Sequence, residues 1–326
     1  MNNIVKTTAK FSAYMALALV ANMPANGLAD KSVLDDMNKC RPEEKTGIKI
    51  ARLAIDDKPM TLDDTCKISL DDLHPTQYSV GMNEVQNKKL ELLSDIEQKK
   101  DIWKKVKNFV PVVRGPDNKV YITDHHHLVT AIYHIKQDSN NISNDIPVYF
   151  IEDYYNMLDN KDDCRFWSSM KATNKVWLKN NQGIDIQPSE LPKQIKGLQD
   201  DPMRSLAAMV EDNCGFLKCG KKECETKIGK EKFQKSCATD PYFLEFKWAD
   251  FIRNDGKIQQ LMNNGCALPN NNQCLTTYHN EKLCCALPEA MQYVASEKAQ
   301  KEMGAALGQH NYPIEETKTE KKKDCK

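Results

Sequence analysis

Twelve cysteines constrain this chain more than any other feature, and they are unevenly spread. Only Cys164 falls between Cys66 and Cys214, whereas most of the others lie from Cys214 onward. The middle of the chain is therefore expected to fold on an ordinary hydrophobic core, and the C-terminal part to be stapled. No Cys-x-x-Cys occurs anywhere, which removes the commonest spacing for a zinc knuckle or a thioredoxin-type redox pair. Cys284 and Cys285 are adjacent. A disulfide within such a pair is geometrically strained, so each is expected to reach a different partner and staple two segments to one helix.

Disulfides need an oxidising compartment, and the first residues predict one. Lys6 and Lys10 make a basic start, Phe11 to Met23 an uncharged apolar stretch, and Gly27-Leu28-Ala29 a small-x-small cleavage site before Asp30. Residues 1–29 thus read as a cleavable secretory signal, with delivery to the periplasm or the medium. A retained anchor or a buried N-terminal helix is the alternative, although the apolar run is short for a membrane span. Lys6 and Lys10 would leave with this segment, so 46 basic side chains become 44 against 46 acidic ones, a net charge of −2. That balance argues against a non-specific nucleic-acid coat.

Residues 30–65 carry many charges and few large apolar side chains, and read as a leader strapped on by Cys40 and Cys66. Residues 66–155 read as an α+β core. Val85, Leu92, Ile96 and Trp103 recur at helical spacing and predict an amphipathic helix from about Asn83 to Lys107. Phe109 to Val113 and Val120 to Ile122 flank the turn formers Gly115-Pro116-Asp117-Asn118, which predicts a hairpin. Leu128, Ala131, Ile132 and Ile135 mark a second helix, and Ile146 to Ile151 another strand. Beyond residue 155 the patterns are helical, over 163–180, 202–212, 241–253 and 281–307. A lysine-rich, Cys-bearing insertion near 215–242 interrupts them, a Cys-bearing extension covers 256–309, and a charged, solvated tail 310–326.

The most chemically loaded residues are Asp124-His125-His126-His127, placed between a strand and the first turn of a helix. The first N–H groups of a helix lack intrahelical partners and carry the positive end of its dipole, so this junction favours phosphate or another anion. Asp124 or Thr123 is a candidate cap. One imidazole here can donate to a phosphate, act as general base or bind a metal. Successive helical side chains diverge by about 100°, so three adjacent histidines cannot all ligate one ion. His127 and His134 share a face but lie roughly 10 Å apart along the axis. A metal would have to recruit Glu84, Asp124 or a distant acid. The structural alternative has Asp124 as a cap, one histidine filling a gap beside Tyr121 and the others facing water. His74, His279 and His310 read as surface residues.

The residues also resemble a known family. Leu73-His74-Pro75-Thr76-Gln77 and Val80-Gly81-Met82-Asn83-Glu84-Val85 with Lys88 are similar to the opening motif of the ParB-like nuclease family, a branch of the ParB/sulfiredoxin superfamily. Pro111-Val112-Val113, Gly115-Pro116-Asp117, Tyr121 and Asp124 to Leu128 continue the likeness, as do Leu191-Pro192, Asp200 to Leu206 and Glu245 to Arg253. Together these cover roughly residues 66–255. The resemblance implies a small mixed sheet with helices, a fold class of α+β, followed by the mostly helical, disulfide-stapled half, and a ligand cleft at the helix beginning near His125. In the wider superfamily that turn faces nucleotide phosphates. Here histidines replace both the ParB arginine-rich nucleotide motif and the sulfiredoxin cysteine, which disfavours a partitioning clamp or a sulfinic-acid reductase.

The expected function is that of an exported phosphoester hydrolase, a nuclease or phosphodiesterase. His126 or His127, with His125 beside them, would be general base or phosphate donor, oriented by Asp124 and Glu84. Gln77, Lys88 and Arg204 are the candidate phosphate-binding residues, Arg204 because its fork suits bidentate oxyanion binding. Each also has a plainer reading: Glu84 as a helix-start charge, Lys88 on a solvated face, Arg204 as partner to Asp200 or Asp201. A divalent metal ion is an open option as cofactor. Expected partners are a phosphate-containing ligand or nucleic acid, and a protein partner at the Cys-rich insertion. A nucleotide-dependent phosphotransferase and a non-catalytic binding module or effector are the alternatives.

Overall fold

The computed structural model describes residues 65–303 apart from 105–108, 140–141, 156–162, 217–223, 225–242 and 270–271. The expected signal segment, the leader, most of the insertion and the charged tail lie outside the described residues. No helix among the described residues is long and apolar enough to cross a membrane.

A five-stranded mixed sheet carries the first half. Its strands in chain order are β1 (Cys66–Ser69), β2 (Leu73–Pro75), β4 (Val110–Arg114), β5 (Val120–Ile122) and β6 (Asp145–Asp153), with β3 (Ser79–Val80) lying outside it. The spatial order is β1-β6-β4-β5-β2. The predicted hairpin is β4 and β5, paired antiparallel with Val113 opposite Tyr121. β6 runs parallel to β4, with Val110 opposite Val148. Every residue of β4 is buried, as expected of a central strand covered on both faces. Helices α1 (Met82–Glu97) and α2 (His126–Asp138) supply Val85, Leu92, Leu128, Ile132 and Ile135 to one face of this sheet. On the other face Tyr121, Phe166 and Met170 pack together, with α3 (Asp163–Ala172) as the cover. His74, on β2, lies 5.4 Å from the Tyr121 ring. It occupies the place beside Tyr121 that was expected of a cluster histidine, and is half-buried there.

Two helices end earlier than their apolar patterns. The first stops at Glu97 because Lys99 turns into the left-handed region (φ 54°) and Lys100 N–H reaches back to Asp95 O. Ile96 and Trp103 still pack on the core from either side of that stop. The helix expected over 163–180 ends at Ala172. Asn174 (φ 54°) turns the chain, Lys175 N–H bonds Met170 O, and Trp177 then runs extended beside Gln77.

The second half is built on its own core. After β7 (Gln199–Asp200), which pairs with β3, come α4 (Pro202–Asp212), α5 (Leu244–Arg253), α6 (Gly256–Asn264), α7 (Gln273–Tyr278), α8 (Glu281–Val294) and α9 (Glu297–Met303). Leu206, Val210, Phe216, Trp248, Ile252, Ala286 and Ala290 form the centre, with Phe216 stacked on Trp248. The single helix predicted over 281–307 is broken at Ala295-Ser296, where the Ser296 hydroxyl caps the next helix by accepting from Ala299 N–H.

Disulfides hold the periphery of this half. Cys274 on α7 bonds Cys284, and Cys266, just past α6, bonds Cys285. The adjacent cysteines therefore do reach different partners and staple two segments to α8. Cys214 bonds Cys224, and Cys66 and Cys164 are also in disulfides. A six-residue helix such as α7 is far too short to hold itself in water, so its position depends on such a tie.

Candidate functional site

Gly81 sits at the junction where the two halves meet. It precedes α1 and has no side chain with which to cap it, so the cap comes from the other half of the chain. Asp200 Oδ1 accepts from Met82 N–H at 3.0 Å, and Ser205 Oγ from Asn83 N–H at 3.3 Å. A Cβ at position 81 would stand 2.8 Å from Ser205 Oγ and 3.0 Å from its backbone nitrogen, so glycine is required by close approach. Asp201 caps α4 through Met203 and Arg204 N–H and binds Arg253 with both carboxylate oxygens, at 2.8 and 2.7 Å. The two aspartates are thus committed to helix starts and to Arg253, and the Arg204 guanidinium pairs instead with Glu84 and Glu245.

The strand-to-helix turn after β5 places the histidines. His125 takes the left-handed conformation (φ 64°) as the residue preceding α2, and its own side chain does not cap that helix. The expected caps are used otherwise. Asp124 Oδ1 accepts from His125 N–H at 2.6 Å, and Thr123 Oγ1 donates to Pro111 O at 3.2 Å. Thr123, Asp124, His126 and His127 line a cleft of about 960 Å³, so the positive end of the α2 dipole borders it.

His126 and His127 are wired differently. His126 is buried, and its Nε2 accepts from Thr76 N–H at 3.1 Å. The Thr76 hydroxyl donates to Ile122 O at 2.8 Å, so its 3.5 Å approach to the same Nε2 brings no second proton. Burial, only partly opposed by Asp124, pushes the His126 imidazole down to about 3, and the ring is neutral at any ordinary pH. His127 keeps about a fifth of its side chain exposed, at 21%. Its Nε2 lies 3.1 Å from Gly81 N–H and 3.4 Å from Glu84 Oε1. One lone pair cannot serve both. Neutral, Nε2 accepts from Gly81; protonated, it donates to Glu84.

Glu84, in the first turn of α1, is held by Arg204 NH1 at 2.5 and 3.0 Å to its two oxygens. Arg204 NH2 lies 3.7 Å from Glu245, and the guanidinium sits 5.2 Å over the Phe246 ring. Burial opposes the Arg204 charge, but Glu84, Glu245, Glu211 and Asp201 together outweigh it and raise its pKa. Arg204 is thus a clamp on Glu84 across 120 residues of sequence. Lys88 also borders the cleft, paired with Glu91 at 2.6 Å. The Gln77 amide borders it too and donates to Ser79 O at 2.7 Å.

Seven of the eight nominated residues, Gln77, Glu84, Lys88, Asp124, His126, His127 and Arg204, therefore meet around one cleft, and His125 does not line it. Sequence reasoning missed other lining residues, Tyr149 and Ile151 from β6 and Phe243, Glu245 and Phe246 at the start of α5. Burial and the nearby Asp124 carboxylate raise the Tyr149 phenol. The signal for Glu245 and Phe246 lay in the motif Glu245 to Arg253, which carried no assigned chemistry. Among the described residues no three His, Cys, Asp or Glu side chains converge so as to hold a metal ion.

The arrangement has a counterpart among known sequences. The family model of the ParB-like nucleases matches residues 66–254, which include both halves of the cleft and every nominated residue. The chain belongs to the ParB-like nuclease family. The match stops short of α6 to α9, so α7 and α8, with the disulfides Cys274–Cys284 and Cys266–Cys285, lie beyond it. Among solved structures, it is similar to protein Atu1540 from Agrobacterium tumefaciens, at 27% identity over 73% of this chain and 95% of that one, with a TM-score of 0.49. No curated protein matches it.

Proposed function

We propose that this ParB-like protein is an exported phosphoester hydrolase, a nuclease or phosphodiesterase, whose reaction centre is the cleft at the N-terminus of α2. The observation that carries the reading is the convergence of the α2 N-terminus, His127 and the Arg204-clamped Glu84 on one cleft. Three disulfides in the C-terminal half support export.

The phosphoryl group is bound at the N–H groups of the first α2 turn, with Gln77 and Lys88 at its side. His127 is the general base. As a water oxygen bonds to phosphorus, its proton passes to His127 Nε2, which exchanges the Gly81 N–H for the Glu84 carboxylate. The ester P–O bond breaks, and the imidazolium returns the proton to the departing alkoxide. Glu84 steadies the imidazolium and Arg204 fixes Glu84, while neutral His126 anchors the Thr76 loop against α2. His125 shapes the turn, and Asp124 orients it through the His125 N–H. A divalent ion, if used, would arrive largely with the substrate phosphates, held by one or two carboxylates, with Asp124 the candidate.

The test is hydrolysis of single- and double-stranded nucleic acid, a bis-aryl phosphate and nucleoside triphosphates, with and without Mg2+, Mn2+ or Zn2+. Turnover of the diesters is expected. Turnover confined to triphosphates would point to a phosphotransferase, and none at all to a binding module; either result overturns the proposal.

A further inference from the structure

The cleft has a polar end and an aromatic wall, and the proposed chemistry uses only the first. At the wall, Phe246 already has neighbours on its faces: Trp177 stacks on it at 5.4 Å and 30°, and Arg204 lies over it at 5.2 Å. Phe243 differs. It is only partly buried, lines the cleft and belongs to none of the hydrophobic cores. Trp177, at 5.6 Å and 37°, and the edge of Phe246, at 6.2 Å and 64°, brace it.

Phe243 is also held at a conformational cost. Its φ of 56° lies in the left-handed region, where a bulky side chain is an outlier costing on the order of 1–3 kcal/mol. Its side chain has no polar atom with which to cap α5. Glycine or asparagine would occupy the position with less strain. The fold thus keeps a braced aromatic ring in the lining of the cleft, where neither backbone preference nor a hydrophobic core among the described residues calls for one.

We infer that Phe243 is a base-stacking surface and that the cleft takes an unpaired nucleotide of a single strand, its base against Phe243 and its phosphate at the start of α2. This rests on the phosphoester reading and narrows its substrate from any diester to single-stranded nucleic acid. Stacking on an aromatic face is tolerant of sequence, and a base inside a duplex has both faces covered already. The cleft volume of about 960 Å³ lies at the upper end for a small-molecule site and accommodates a nucleotide unit. With a net charge of −2 after removal of residues 1–29, the chain gains little from counterion release, which leaves stacking a large share of the affinity.

The experiment is fluorescence anisotropy with the oxidised full-length protein in EDTA. The probes are an oligodeoxythymidylate, an abasic strand with the same number of phosphates, and a blunt duplex. The base-bearing strand is expected to bind roughly 5- to 100-fold more tightly than the abasic strand or the duplex. Phe243→Ala should abolish that preference and Phe243→Tyr should keep it. Equal binding of the base-bearing and abasic strands by wild type, or an undiminished preference in Phe243→Ala, would overturn the inference. If Phe243→Ala does not fold, the wild-type and Phe243→Tyr comparisons decide it alone. Turnover of the bis-aryl phosphate without strand discrimination removes the stacking site and leaves the hydrolase standing. Absence of both turnover and binding removes both.

Discussion

The sheet half, whose Cys66 and Cys164 are also disulfide-bonded, and the stapled helical half of this molecule differ in how far their packing depends on covalent ties. The sheet half closes around Leu73, Val110, Val112, Ile122, Ile132 and Ile146, all of them fully or almost fully buried. The helical half has a comparable centre at Phe216 and Trp248, but its outer helices α7 and α8 are tied by Cys274–Cys284 and Cys266–Cys285. The difference teaches where the cleft belongs. It lies at the seam, with Glu84, His126 and His127 from the sheet half and Arg204, Phe243 and Phe246 from the helical half. The stapled periphery reaches the start of α1, because Tyr278 O at the end of α7 accepts from the Asn83 amide at 2.6 Å, one residue from Glu84.

The largest expected effect is covalent. Reducing the disulfides should destabilise the helical half by about 2–5 kcal/mol per bond. Hydrogen exchange should then show loss of protection over 256–303 with strand β4 still protected. Simultaneous loss in both halves would break the comparison. Next is the seam itself. Glu84→Ala leaves the Arg204 charge buried with Glu245 as its nearest remaining acid, and should cost about 3 kcal/mol in denaturant unfolding. Arg204→Met should cost less, since Glu84 is 26% exposed and can be solvated. The reverse order would mean that Arg204 serves packing more than charge.

A pH test sharpens the sheet side of the comparison. Burial lowers His126 from 6.5 to about 3 in the folded protein, so the unfolded chain binds the extra proton between those values. Its contribution is therefore fully present above pH 6.5 and is lost as the pH falls towards 3, by about 2 kcal/mol between pH 6.5 and 5. His126→Gln should flatten that part of the curve. An unchanged slope would show that His126 is not buried neutral. The smallest effect is local. Gly81→Ala forces a Cβ against Ser205 N and should cost about 1 kcal/mol, together with a weakened His127 contact visible in ring nitrogen shifts.

Much of this arrangement was legible in the sequence. The β4–β5 hairpin follows from turn chemistry, the separate fates of Cys284 and Cys285 from disulfide geometry, and the histidine turn from its place between strand and helix. What was not legible has physical causes. β1 and β2 are four and three residues long, too short for a period to show. The early end of α1 is made by left-handed Lys99, a residue that usually stays helical, and that of α3 by left-handed Asn174, a helix-ending signal the apolar pattern overrode. The Arg204–Glu84 clamp spans 120 residues and has no local trace. Position 243 gave no sign either, because an aromatic at positive φ is the opposite of what local preference predicts there.

The most direct test is the turnover of a single-stranded or bis-aryl phosphodiester by wild type and His127→Ala, with unfolding midpoints measured for both. The account predicts a loss of roughly 10²- to 10⁴-fold in His127→Ala at an unchanged midpoint. Wild-type turnover in a folded His127→Ala variant would contradict it.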